Sequence, residues 1–217
     1  MMTGMWSGGL GLAAYLLGAV PSGYWVGRAR GVDIRTVGSR NIGATNVFRC
    51  VGKGWGIFTF LLDVTKGFAP AFFFPKILVA VGAAPEGAWA ALPALAYMIL
   101  AILGHNWPVY LGFKGGKGVA TSAGGLLGVA PAAVGVGVAV WILLFVVVRY
   151  VSVASIGAAL AVAASGWWLY RDSGWLLPAV LTALGLLAVW RHKGNIARLR
   201  AGTENRITLG RNTRASS

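Results

Sequence analysis

The chain has 217 residues, of which 57% are hydrophobic and only 11% charged. Soluble domains carry about a quarter charged residues, so an ordinary soluble globule is excluded and a membrane-embedded bundle is implied. The 19 Lys and Arg against 5 Asp and Glu give +14. Beside a bilayer that excess is read as the positive-inside bias facing anionic headgroups, not as a nucleic-acid surface.

In chain order, apolar stretches run at about 5–27, 54–81, 86–104, 119–148, 151–170 and 174–190. A transmembrane helix needs about 20 residues. The fourth stretch has about 30, enough for about 45 Å of helix. It forms either one steeply tilted span or two short ones hinged near Pro131. Charge decides between them. Lys and Arg number six in 28–53, two in 105–118, one at Arg149 and seven in 191–217. A single span would put the last basic segment opposite the first, whereas two spans put all four on one side. The predicted fold is therefore an all-α integral membrane bundle of seven transmembrane helices. Two are short, at about 119–131 and 131–148, with the N-terminus outside and the C-terminus cytoplasmic. Residues 1–205 are expected to form a single membrane domain and 206–217 a polar cytoplasmic tail. The first Lys or Arg is Arg28, so no cleaved signal peptide is expected.

Five segments carry chemistry. The loop VGSRNIGATNVFR gathers Ser39, Asn41, Thr45 and Asn46 around Gly38 and Gly43, with Arg40 and Arg49 at its edges. Glycine lets backbone approach a ligand, Ser, Thr and Asn bond without charge, and Arg forks onto an oxyanion. The same composition also suits a solvated loop. Asp63 and Lys66, three apart in LLDVTKG, are either functional groups or a structural bridge that orients neighbouring loops. In GHNWPVYLGFKGGKGVAT, Gly115, Gly116 and Gly118 leave N–H groups unshielded where a helix begins, which favours an anion. One of Lys114 and Lys117 reads as an interfacial snorkeller. A nucleotide P-loop is excluded, because Gly118 stands where a Ser or Thr is required and Leu111 where the first Gly belongs. Ser152 and Ser155 in RYVSVASIG are helix caps or hydroxyls lining a cavity. In RHKGNIARLRAGTE, His192 and Asn195 share a face if the last helix continues, and the segment otherwise reads as a basic cap. Cys50 is single, and His105 and His192 lie far apart, so neither a disulfide nor a metal site is expected.

Taken together, GSRNIGATNVFR, GHNWPVYLGFKGGKGVAT and RHKGNIARL resemble the three motifs of the bacterial integral-membrane glycerol-3-phosphate acyltransferases that use acyl phosphate, the PlsY family. GAVPSGYWVGRARGVDIR, LLDVTKGFAP and RYVSVASI extend the likeness, in order, over nearly the whole chain. The resemblance implies a seven-helix inner-membrane enzyme with its active site facing the cytoplasm. It implies acyl transfer from acyl phosphate to the 1-hydroxyl of glycerol 3-phosphate, giving lysophosphatidic acid and phosphate in phospholipid synthesis. By motif position it assigns Ser39, Arg49, Lys117, His192 and Asn195 to glycerol 3-phosphate. Asn41, Ile42, Gly43 and Thr45, with Ser155 nearby, go to acyl phosphate. Arg40 and Lys193-Gly194 depart from the usual pattern. The implied partners are the two substrates and the lipid bilayer, with no nucleic acid, cofactor or metal; the oligomeric state stays open and a monomer is compatible.

Acyl phosphate is a mixed anhydride and already activated, so the residues point to positioning and charge stabilisation. Ser39, Ser155 and Cys50 lack a base in context, which favours direct transfer without an acyl-enzyme. Either histidine suits a general base, and His192 equally suits a donor to phosphate. The acceptor's own phosphate can take the hydroxyl proton. The rival class is a membrane transporter of an organic phosphate. It shares broken helices but needs access from both sides, whereas the polar motifs are predicted to lie on one.

Overall fold

The computed structural model describes residues 2–207. Among these, all regular structure is helical, and the chain divides into two compact units, Met1–Val134 and Gly135–Ser217.

In the first unit, α1 (Met2–Ala19) stops before Pro21, and α2 (Ser22–Ala29) starts beyond it. The sequence reading places one apolar stretch over about 5–27. Proline removes an N–H and drives the preceding residue out of the α region, so the run is cut at Val20. A loop leads to α3 (Ala44–Cys50), then to α4 (Lys53–Ala80), which continues through Pro70 and Pro75. A one-turn 3-10 helix at Gly87–Trp89 precedes α5 (Leu92–Asn106), so this helix begins later than its apolar stretch. Gly87 has φ 62°, a left-handed conformation that ends regular structure there.

Helix α6 (Val119–Val129) has 11 residues, about 16 Å, against a hydrocarbon core of about 30 Å. It ends at Ala130 (φ −141°), and α7 (Pro131–Val148) starts on the proline, which suits a first helical position. The break thus falls where the sequence placed the hinge. α1 packs on α5 and α4 on α6 through small residues. A Cβ on Gly18 would strike the Ala101 carbonyl, and one on Gly124 the Val64 carbonyl. Such close backbone approach drives helix association where apolar burial against lipid offers nothing.

The second unit holds the rest of α7, α8 (Val151–Leu169), α9 (Leu176–Arg191) and α10 (Lys193–Arg200). α8 and α9 pair across a short turn at Arg171–Gly174. The chain then returns, and the Ile207 N–H donates to the Arg149 carbonyl at 2.9 Å. Among the described residues, four segments are long and apolar enough to cross a membrane: Lys53–Ala80, Leu92–Leu111, Pro131–Val148 and Val151–Leu169. Large side chains such as Leu143, Val146 and Val147 are left exposed on them, as lipid-facing surfaces require. Residues 208–217, most of the expected polar tail, lie outside the described residues.

Candidate active site: two anion loops and a carboxylate corner

The first loop is organised by a residue that sequence reasoning grouped with its ligands. Asn46 is 1% exposed. Its amide donates to the Ile34 and Val37 carbonyls at 2.9 and 3.2 Å, and its Oδ1 accepts the Ser39 N–H at 2.9 Å. Gly38 (φ 57°) lies against this side chain, leaving no room for a Cβ. Asn46 therefore fixes the loop that presents Ser39, rather than itself facing a ligand. Asn41 Oδ1 accepts the Gly43 N–H at 2.9 Å, an Asx turn that sets up the start of α3. Ile42 is buried with Val26, Ile34 and Val47, and its carbonyl leaves no room for a Cβ on Gly23. Thr45 and Arg49 are half-buried on α3. Where the loop enters, the Arg35 side chain on Asp33 lowers that carboxyl to about 2.

The second loop shares the same apolar base, because Leu111 packs against the Val26–Ile34–Ile42–Val47 cluster. Ser39, Asn41, Ile42, Gly43, Thr45 and Arg49 are thus held in one piece with the segment that leads to Lys117. The loop's glycines have a reason the sequence did not show. A Cβ on Gly115 would strike the His105 carbonyl, one on Gly116 the His105 ring, and one on Gly118 the Asn106 amide. The Gly116 N–H donates to the His105 carbonyl at 3.1 Å. The expectation that all three glycines expose N–H groups to an anion is corrected for Gly116, whose donor is already engaged. Gly118 (φ 79°) takes the left-handed conformation at the N-cap of α6. Lys114 is exposed and Lys117 half-buried, so Lys114 has the exposure expected of the snorkeller.

The third motif forms a corner in the second unit. α9 ends at Arg191 and α10 starts at Lys193, with His192 at the joint instead of inside one continuous helix. His192 is 2% exposed and its Nδ1 lies 2.8 Å from the Ala188 carbonyl. A carbonyl only accepts, so Nδ1 carries a proton in this contact. Glu204, the last residue of the segment RHKGNIARLRAGTE, is the hub. Oε1 accepts from Asn195 (2.6 Å) and Ser152 (2.9 Å), and Oε2 from Arg198 (2.7 Å). Burial acts to raise this carboxyl, but the Asn195, Ser152 and Arg198 hydrogen bonds outweigh it and hold it below its ordinary value. Ser152 does not cap α8, whose N-cap is Tyr150, and its hydroxyl donates to Glu204. Ser155 is buried and accepts from the Trp141 indole at 3.2 Å. Among the described residues, no three His, Cys, Asp or Glu side chains come together to hold a metal.

Helices of membrane length, joined by loops of Gly, Asn, Ser, Arg and Lys, define the class: a helical integral membrane protein with cationic, glycine-rich loops. The family profile described as glycerol-3-phosphate acyltransferase matches residues 9–202. A glycerol-3-phosphate acyltransferase of Thermosynechococcus vestitus is 40% identical, over 95% of this chain and 98% of its own. One of Rubrobacter xylanophilus is 46% identical, over 90% and 92%. Two crystal structures of PlsY (YgiH), an integral membrane glycerol 3-phosphate acyltransferase, are similar. The glycerol 3-phosphate form has TM-score 0.79 and 37% identity, covering 93% of this chain and 96% of its own. The lysophosphatidic acid form has TM-score 0.75 and 35% identity, covering 93% and 95%. The chain belongs to the glycerol-3-phosphate acyltransferase family.

Proposed function

We propose that this protein transfers a fatty acyl group from acyl phosphate to the 1-hydroxyl of glycerol 3-phosphate, giving lysophosphatidic acid and inorganic phosphate. One observation carries the reading. Two PlsY structures of the same fold, at 37% and 35% identity, are described as glycerol 3-phosphate and lysophosphatidic acid forms, an acceptor and its acylated product. The donor is inferred from the motifs.

The acceptor oxygen attacks the acyl carbonyl carbon, forming the new ester C–O bond. The anhydride C–O bond breaks and phosphate leaves with its electron pair. The hydroxyl proton passes to the acceptor's own phosphate, a base near neutral pH with a second pKa of about 6. Ser39, Arg49, Lys117, His192 and Asn195 bind glycerol 3-phosphate. Asn41, Ile42, Gly43, Thr45 and Ser155 serve the acyl phosphate, and the N–H groups of Gly115 and Gly118 favour an anion at the start of α6. Positioning supplies about 7–11 kcal/mol of the barrier, and a donor aimed at the oxyanion about 3–4.

The protein spans the inner membrane seven times, with its N-terminus outside and its C-terminus and active site cytoplasmic, one domain over 1–205. The break at Ala130 supports that count, because it turns 119–148 into two helices. The acyl chain arrives laterally from the bilayer and glycerol 3-phosphate from the cytoplasm.

The test supplies purified protein in lipid with acyl phosphate and labelled glycerol 3-phosphate. Phosphate and lysophosphatidic acid should appear in equal amounts; uptake into vesicles without chemistry would identify an organic-phosphate transporter instead. Lys117→Ala and Arg49→Ala should raise the KM for glycerol 3-phosphate about tenfold or more, each tenfold being about 1.4 kcal/mol. Mass spectrometry should find no acyl-protein adduct.

A further inference from the structure

Three ionisable side chains lie buried beneath the second loop. Asp63 and Lys66 of α4 are 2% and 5% exposed, and His105 of α5 is 4%. Lys66 Nζ sits 2.7 Å from Asp63 Oδ1 and donates to the Val20 carbonyl, at the break before Pro21, at 2.8 Å. His105 Nδ1 faces the same Asp63 oxygen at 3.7 Å. A buried ion pair is a weak device for stability, because replacing it by neutral groups of similar volume is often neutral or stabilising.

What the cluster touches accounts for it. The His105 ring lies between Asp63 and the loop, with Nδ1 toward the carboxylate and Nε2 against Gly116. The His105 carbonyl holds the Gly116 N–H, and Lys117 is the next residue. A turned ring would push on Gly116, where there is no room for even a methyl group.

We propose that Asp63, paired with Lys66, is a positioning residue: it sets the His105 ring, and through it seats Gly115 and Gly116 so that Lys117 meets its phosphate. This rests on the reading of Lys117 as a substrate ligand. None of the three buried groups touches substrate; they act through the loop.

The test uses the full-length protein in lipid nanodiscs. The variant Asp63→Ala/Lys66→Met removes both charges together, so that neither is left buried alone. Amide hydrogen exchange is read over 113–118, with 34–43 as the internal control. The KM for glycerol 3-phosphate is measured alongside Lys117→Ala. Exchange over 113–118 should quicken about tenfold or more while 34–43 stays unchanged, in a protein that still unfolds cooperatively. The KM should rise about tenfold, and adding Lys117→Ala should raise it less than about twofold further, as for residues acting in one chain. His105→Gln, with the ion pair intact, should show the same exchange change.

The proposal is overturned if the folded double variant keeps wild-type exchange and KM, or if His105→Gln leaves the loop as protected as before. It is overturned equally if the double variant cannot fold, since the pair would then serve the bundle and not the loop. If Lys117→Ala itself leaves the KM unaltered, the ligand reading fails, while the exchange result still decides the seating.

Discussion

The loop over 112–118 and the corner over 192–204 keep their shapes by opposite means. The loop is held at its backbone: its glycines let the main chain lie against His105 and Asn106 at the end of α5, and the Gly116 N–H donates to the His105 carbonyl. The corner is held by side chains, three donors converging on the Glu204 carboxylate. Adding an atom to one of its glycines should ruin the first, whereas the second should fail when the Glu204 charge is removed. Backbone contact fixes position tightly but tolerates no substitution, whereas a carboxylate hub ties distant positions together and depends on its ionisation.

Substitutions can break this contrast. Gly116→Ala should have the largest effect on activity, lowering kcat/KM about a hundredfold or more, because the new methyl meets the His105 ring. Glu204→Gln should come next. It weakens hydrogen bonds to a charged acceptor, each worth about 1.5–3 kcal/mol, and a drop of about 2–4 kcal/mol should show in unfolding experiments.

Acid should sharpen the same point. The folded Glu204 carboxyl is lowered, so its contribution is present in full above the ordinary glutamate pKa of about 4.3 and is lost as pH falls through the folded value. Wild type should therefore lose more stability than Glu204→Gln between neutral pH and pH of about 3, compared by thermal melts at each pH. Gly194→Ala is the smallest change. Its methyl would meet only Arg198 Nη1 at 3.6 Å inside α10, so stability should stay level or rise by about 0.5–1 kcal/mol with activity unchanged. A glycine in the corner that behaved like Gly116 would erase the contrast.

Much of this was legible in the sequence. The 54–81 stretch became α4 (Lys53–Ala80), and the hinge near Pro131 is where α6 gives way to α7. Apolar length and proline act locally, so a linear reading captures them. The cut at Val20 was also written in the chain, as Val20-Pro21, but an unbroken apolar run hid it. What could not be read was contact between distant residues. Glycine-rich sequence signals that backbone comes close to something, but not whether that is an anion or, as at Gly116, the His105 ring. Glu204 looked peripheral, because only the turn after α10 brings it to Ser152, 52 residues earlier. Asn46 looked like a ligand because its chemistry suits one, and its burial under Gly38 gives the chemistry another use.

Helix α6 crosses α4 between Val64 and Phe72, in the middle of the longer helix, yet is only 11 residues long. A rod that short, laid against the mid-depth of its neighbour, cannot have both ends at the membrane's surfaces. On the proposed topology its Gly118 end then sits inside the inner leaflet and not at its surface. In the proposed reaction a water-borne polyol phosphate would descend to that level, where an acyl chain already lies. On that proposal the missing turns of helix serve to bring two reactants of opposite solubility to one level, and lipids that thicken the leaflet should lengthen the descent without altering any residue.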